Sequence, residues 1–485
     1  MDALTSGSHR LVHIDLKGAP LRVSYYEKLF PLLRAWGATG LLLEWEDTFP
    51  YTRELAAIGS NGPDAYSSGY SAQEARQILQ LAGDSGLAVI PLVQTFGHME
   101  FVLKHEEWRS LREVPTFPSS MCPSNPGALP LVKMLIKQIV TFHPDIQYLH
   151  IGADEVWHMG MCAACSKRIS TGKHGKAGLF LEHVMAVLHF IKETYPHLKI
   201  IMWDDMLRSV DASVMNEYYI GKYVEPMIWH YNSRETFGLP PDLWDRFGSV
   251  FLNVWGATAF KGATGSCQHI PTITHHLSNH ERWLEELSMN VNKIIEFKGI
   301  AFTGWSRYDH YATLCELFPT SIPSLALCLK TWLHGYNEQT HVQVAKDLGY
   351  IEFPLLITPQ PRPIPIPSNL QYPGWQVAVG IEWYLNYKTK FHGLVNSEQI
   401  LTWMNPWQVA NNYTNPMQIT SLVTALTDML LELSALENYM KVQMDLIYYN
   451  STLEEWIGTN VYPLKNKLTK LKQTAENQIK LSTRV

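Results

Sequence analysis

The chain is poor in several things that would otherwise fix its class. Its six cysteines (Cys122, Cys162, Cys165, Cys267, Cys315 and Cys328) are few and irregularly spaced in 485 residues, which argues for reduced thiols and against a disulfide framework. Thirty-nine Lys and Arg stand against 45 Asp and Glu, a net charge of -6, and the basic residues gather into no stripe that a phosphate backbone would need. No nucleic-acid partner is therefore expected. There is no stretch of about 18 apolar residues, and the N-terminal "MDALTSGSHRLVHIDL" lacks the apolar core of a secretory signal. The expectation is a protein without a membrane partner, with a cytoplasmic address that extends to the nucleus. No Gly-x-Gly-x-x-Gly follows any apolar run, which weighs against a dinucleotide. No cofactor is expected.

What is present is repetition of a β-then-α pattern. Short apolar runs begin at Leu11, Gly40, Ala88, Tyr148, Lys199, Pro226, Val250 and Gly299. Helix-period segments such as "SYYEKLFPLLRAWGA", "SAQEARQILQLAGDSG" and "GLFLEHVMAVLHFIKETYP" lie between them. Apolar strands joined by helical crossovers make a parallel sheet covered on both faces. Eight such units predict an α/β fold, a (β/α)8 TIM barrel over residues 1–335. A proline-rich stretch, "FPLLITPQPRPIPIPSNLQYP", places a linker at 336–373. Residues 374–485 are expected to form a C-terminal helical domain. There Ile419, Leu422, Leu426, Met429, Leu433, Leu436 and Met440 follow a 3/4 spacing, which suits either an intramolecular helical pair or the seam of a homodimer.

A barrel of this kind carries its active site where the strands end. The runs terminate in Asp15 and Lys17; in Glu44, Trp45, Glu46 and Asp47; in Gln94 and the turn with His98; in Asp154 and Glu155; in Trp203, Asp204 and Asp205; in Trp229, His230 and Tyr231; in Trp255; and in Trp305 and Arg307. Five tryptophans expected at one rim would make an apolar wall with N–H donors, which suits a sugar ring. Carboxylates beside them could protonate a glycosidic oxygen. Asp204 and Asp205 have a plainer reading as caps of the following helix.

A retaining glycosidase with its own nucleophile needs two carboxylates about 5 Å apart across the bond. Asp154 and Glu155 are neighbours, so strand alternation would point them different ways. An adjacent pair suits a sugar carrying a 2-acetamido group, whose carbonyl oxygen attacks C1 while one carboxylate protonates the leaving oxygen and the other holds the acetamide N–H. Two other readings stay open. One is a retaining glycosidase with Glu46 or Asp205 as nucleophile; the other is a glycan-binding barrel without turnover.

Together "TFGHMEFVLKH", "HIGADE", "MWDDM", "FKGATG" and "TGWSRYDHY" resemble glycoside hydrolase family 20, in particular its hexosaminidase D type. The resemblance implies an exo-acting, retaining β-N-acetylhexosaminidase that works through an oxazolinium intermediate without a metal, on glycoconjugates or oligosaccharides ending in β-GalNAc or β-GlcNAc. It implies that Glu155 is the general acid/base, that Asp154 steers the acetamide nitrogen, that His98 belongs to the family's Gly-His turn, and that Trp203, Trp229 and Trp305 wall the sugar pocket. Lysosomal-type members end the first strand with an arginine that binds sugar hydroxyls, where this chain has Asp15-Leu16-Lys17-Gly18. The family's late Tyr-x-Asp is not in register here, and Tyr231 is its candidate substitute. Lys17, Asp205, Trp255 and Arg307 complete the expected substrate-binding set. Cys162 and Cys165 form a C-x-x-C pair just beyond the acid; no second pair stands at ribbon spacing, so they are read as loop cysteines and not as metal ligands.

Overall fold

Strand alternation sets which residues face inward, and in the computed structural model it does so around a closed ring. The structure describes residues 7–60, 69–351, 354–358 and 369–482. Its strands are β1 (His9–Asp15), β2 (Gly40–Glu44), β3 (Ala88–Leu92), β4 (Arg112–Val114), β5 (Phe117–Met121), β6 (Tyr148–His150), β7 (Lys199–Trp203), β8 (Glu225–Trp229), β9 (Asn253–Lys261) and β10 (Glu296–Gly304). All but β4 and β5 join a closed parallel barrel in the order β1-β10-β9-β8-β7-β6-β3-β2. The (β/α)8 expectation is met. β4 and β5 form a separate antiparallel hairpin inserted between β3 and β6, which the pattern of apolar runs did not reveal because its strands are short and polar.

Inward positions two residues apart fill the barrel: Leu11, Leu42, Ile90 and Leu92, Tyr148, Ile201 and Trp203, Met227, Trp255 and Ala257, and Ala301 form one buried cluster. Helices cover the outside. The helix Ala72–Asp84 begins at a capping box in which Ser71 Oγ accepts the Glu74 N–H and the Glu74 carboxylate accepts the Ser71 N–H. The helix Val23–Trp36 stops at Gly37, whose φ of 106° leaves the helical region.

Two boundaries differ from expectation. The chain divides into compact units at Met1–Pro359 and Gln360–Val485, and a helix, Glu338–Asp347, occupies part of the stretch expected as linker. Asn337 explains it, since its side chain accepts the Thr340 N–H and starts a helix. The proline-dense residues 359–368 lie outside the described residues.

The second unit is helical, with Trp375–Val395, Pro416–Asp445, Asn450–Asn460 and Tyr462–Ser482 as its longer helices. Ile419, Leu422, Leu426, Leu433, Leu436 and Met440 of the seam are buried within it, and the helix that carries them packs against Trp375–Val395 and Tyr462–Ser482. These seam residues therefore pack within the unit. By length and composition alone that helix, Pro416–Asp445, is also apolar enough to cross a membrane, a property the sequence reading did not find.

Trp255 does not reach the rim. It is the third residue of the nine-residue β9, fully buried, stacked on His9 at 5.3 Å and edge-on to Tyr148 at 5.3 Å. Its indole N–H donates to Glu225 Oε2 at 2.6 Å. His9, Tyr148 and Glu225 all begin strands, so Trp255 closes the base of the barrel. The expectation placed it at the rim because the apolar run was taken to end where β9 in fact continues to Lys261. Trp255→Ala is expected to lower stability by about 3–5 kcal/mol through the cavity it leaves, read as a fall in the denaturant midpoint, while turnover per folded molecule holds.

Candidate active site

The chain after β6 leaves the strand geometry at once. Gly152, Ala153 and Glu155 have φ of 61°, 68° and 46°, a left-handed run that costs side-chain-bearing residues about 1–3 kcal/mol each. Two features hold it. Asp205 Oδ2 accepts the Glu155 backbone N–H at 2.9 Å, and Gly97 lets the chain pass so closely that a Cβ there would lie 1.9 Å from the Asp154 carbonyl oxygen. Because the backbone turns here, strand alternation no longer applies. Both carboxylates face one imidazole, with His98 Nε2 lying 3.2 Å from Glu155 Oε2 and 3.5 Å from Asp154 Oδ2. His98 itself has φ of 50°.

Burial sets the charges. It pushes the Asp154 carboxyl up to about 7, with His98 opposing that shift and Asp205 and Glu44 adding to it. Burial alone would lower the His98 pKa, but Asp154, the Glu155 hydrogen bond and Glu100 raise it to about 10. Burial likewise lifts Asp205 to about 6, against the hydrogen bonds it accepts.

Three of the five expected tryptophans meet near this pair. Trp203 is buried at the floor, 4.5 Å from the His150 ring and 6.0 Å from that of Trp305. Trp229 donates its indole N–H to Asp205 Oδ1 at 3.2 Å. Tyr231 stacks on Trp229 at 5.2 Å and tilts toward Trp305 at 6.5 Å. Burial raises the pKa of its hydroxyl, and the nearby charges of Asp154 and Glu155 add to that shift. Trp45, by contrast, is buried outside the barrel against Phe49, Tyr70 and His143. Glu44 points inward at the end of β2, so its neighbour must point out.

Asp204 and Asp205 do not cap a helix by their side chains. Asp204 takes a two-pronged bond from Arg208, 2.7 Å at each oxygen, and Arg208 lies over the Trp229 ring at 4.9 Å. Asp205 is the part that ties Glu155 to Trp229.

Lys17 lies against the same pocket, 5.8 Å from the Trp305 ring centroid, but its ammonium is held by Asp15 at 3.2 Å and Glu46 at 3.5 Å. Burial opposes that charge, and Asp15, Glu46 and Glu44 together raise its pKa well above the usual value. Arg307 packs against Gly18 and donates to the Ala312 carbonyl at 3.3 Å, so the contacts it makes join the loop after β10 to the turn after β1. The sequence reading missed His310, which bonds Glu46 at 2.6 Å, and Lys104, which bonds Asp47 at 2.6 Å. It also missed His13, buried and 2.9 Å from Glu44. Alternation from the inward Leu11 points to His13; Lys104 and His310 lie within the motifs "TFGHMEFVLKH" and "TGWSRYDHY", but no periodicity assigns them their partners. A surface hollow of about 1040 Å³ lined by Leu87, Ala88, Gln147 and Tyr148, among others, lies at the strand starts and contains none of the residues expected to bind substrate.

Comparison with known proteins agrees with this geometry. The model of the glycosyl hydrolase family 20 catalytic domain matches residues 37–237. Hexosaminidase D of Homo sapiens is 37% identical over 480 residues, spanning 98% of this chain and 95% of the human one. The chain belongs to glycoside hydrolase family 20. It is a glycoside hydrolase of the β-hexosaminidase type. Hexosaminidase D of Bos taurus is 42% identical over 342 residues, 70% of this chain and 96% of the bovine one. A solved β-N-acetylhexosaminidase from Bacteroides fragilis shares the fold, with a TM-score of 0.51 at 16% identity over 70% of each chain.

Asp205→Ala removes both bonds that Asp205 accepts here, from the Glu155 amide and from the Trp229 indole. Turnover per folded molecule is expected to fall by about 100-fold or more, the scale of a misplaced catalytic group, with the circular dichroism spectrum close to wild type. Unchanged kcat would refute the anchoring role.

Proposed function

We propose that this family 20 enzyme removes terminal β-linked GalNAc or GlcNAc from glycoconjugates or oligosaccharides, as a retaining exo-hydrolase in which the substrate's acetamido group is the nucleophile. The observation that carries the reading is the convergence of Asp154 and Glu155 on His98 beside Trp229, Tyr231 and Trp305. A carboxylate nucleophile of the enzyme's own has no support here. Asp205 spends both oxygens on Trp229 and Glu155, and Glu46 is engaged by His310 and Lys17.

In this mechanism Glu155 gives its proton to the glycosidic oxygen as the acetamido carbonyl oxygen closes on C1. Asp154, as a carboxylate, accepts the acetamide N–H and stabilises the positive charge that develops on the oxazolinium ring. Trp203, Trp229 and Trp305 exclude water and stack on the sugar, and the Tyr231 hydroxyl faces the acetamido carbonyl. Glu155 then takes a proton from water, which opens the ring at C1 with net retention. Lys17 and its carboxylate partners line the side where ring hydroxyls would sit. The proposed address is the cytoplasm, with the nucleus.

The deciding experiment is hydrolysis of aryl β-glycosides of GalNAc, GlcNAc and galactose side by side. Turnover of the two acetamido sugars alone, blocked by a thiazoline mimic of the oxazolinium, is expected; cleavage of the galactoside would show an enzyme nucleophile, and sugar binding without cleavage would show a lectin-like barrel. Glu155→Gln is expected to lose about 100- to 10,000-fold on poor leaving groups and far less on good ones. Equal losses would contradict its role as acid.

The Asp154 carboxyl must be ionised to hold the acetamide, and burial raises its pKa to about 7. Below that value the group is protonated and inactive; above it the group is charged and competent. The acid limb of kcat/KM is therefore expected to rise with a midpoint near 7, and Asp154→Asn should lower the rate on good leaving groups too and abolish that limb. A limb that survives the substitution would assign it to another group.

A further inference from the structure

The C-x-x-C pair gains partners that the linear sequence concealed. Cys122 follows β5, and Glu113 is the middle residue of β4. The hairpin brings both to Cys162 and Cys165 so that the three sulfurs and a Glu113 oxygen all lie within 4.8 Å of one another. Cys122 Sγ is 3.6 Å from both Cys162 Sγ and Cys165 Sγ, and Cys165 Sγ is 3.2 Å from Glu113 Oε2. These separations are too long for a disulfide, about 2.0 Å, and near the roughly 3.8 Å that sulfurs take around a tetrahedral ion with metal–sulfur bonds of about 2.3 Å.

We propose that Glu113, Cys122, Cys162 and Cys165 form a structural Zn²⁺ site that clamps the β4–β5 hairpin to the loop beyond the catalytic pair. The donor set selects the ion. Three thiolates suit zinc and other soft or borderline ions, and the carboxylate disfavours Cu⁺. Four ligand atoms in one tight group hold one ion and fill its tetrahedral shell, which leaves no open position for chemistry.

The surroundings are arranged as an outer shell. Glu113 Oε1 accepts the backbone N–H groups of Gly160 at 3.1 Å and Cys162 at 2.8 Å, which fixes the carboxylate and leaves Oε2 turned toward the sulfurs. Cys162 is the N-cap of the nine-residue helix Ala163–Thr171, and its sulfur accepts the Cys165 N–H. Ser124 Oγ stands 2.9 Å from Cys165 Sγ. Such bonds to ligating atoms orient them and tune their basicity.

The clamp joins the two chain segments that build the active site. On one side the hairpin is bonded to the His98 turn, through Met121 N–H to the Phe96 carbonyl at 3.1 Å and Met99 N–H to the Ser119 carbonyl at 3.0 Å. On the other, Cys162 lies seven residues beyond Glu155. The ion would hold the spacing of His98 to Asp154 and Glu155 without touching substrate, so Glu113 and the three cysteines are positioning residues.

The test reads metal, not hydrolysis, so its result is separate from that of the proposed reaction. Full-length protein made in zinc-supplemented medium and exhaustively dialysed is expected to carry about one zinc per chain by mass spectrometry of the element. Cys122→Ser with Cys165→Ser should retain less than about a tenth of that, and Cys267→Ser, outside the cluster, should retain all of it. Because the double variant can fail to fold, wild type is also stripped with chelator and reloaded with Co²⁺. Thiolate-to-cobalt charge-transfer absorption with tetrahedral d–d bands is expected, bleached by stoichiometric Zn²⁺. Wild type that holds neither ion, a zinc content unchanged in the double variant, or a disulfide among the three cysteines in the purified protein would each overturn the proposal.

Discussion

The hydrogen bond from the Glu155 backbone N–H to Asp205 is the contact on which the site depends. It crosses from the end of β6 to the end of β7 and stabilises a backbone that three left-handed residues in four would otherwise make costly. Without that turn Asp154 and Glu155 would point to opposite faces of a strand; with it they share His98. The same Asp205 carboxylate also sets the Trp229 indole, so Glu155 and Trp229 are positioned by one side chain.

Around this bond the barrel works as a graded medium. At the base, Trp255 with His9 and Tyr148 closes the interior with aromatic bulk. Above it a polar layer begins with His13, Glu44, Gln94 and His150, all almost wholly buried. That layer is what lets a carboxyl such as Asp154 sit out of water at the rim, since nearby dipoles and the His98 cation offset part of its desolvation. The networks of Lys17 with Asp15 and Glu46, and of Lys104 with Asp47, keep the rim's charges paired, so the side chains keep defined positions before any sugar arrives.

The hairpin β4–β5 shows how an insertion can serve that medium. β6 has three residues and meets β3 in register only at Leu92 and His150, so this is a short seam of the ring. The hairpin stands over the chain leaving β3 and bonds the His98 turn, while its Glu113 reaches the loop after Glu155. The short seam and the loops that carry His98 and Glu155 are thus braced by one added element.

The sequence by itself determined the barrel, since eight apolar runs separated by helix-period segments admit few other closed arrangements, and it placed Asp154, Glu155, His98, Trp203, Trp229, Tyr231 and Trp305 at strand ends because strand ends follow from where apolar runs stop. It could not determine what depends on leaving a regular element. The left-handed turn at Gly152–Glu155 has no periodic signature; the true length of β9, which puts Trp255 at the base, is set by pairing with β8 and β10; and the helix at Glu338–Asp347 hangs on a single capping side chain. Pairings across long separations, Lys104 with Asp47 or Cys122 and Glu113 with Cys162 and Cys165, were decided only by tertiary structure. Local patterns report how a segment buries its own face, whereas these contacts are fixed by how separate segments pack against one another.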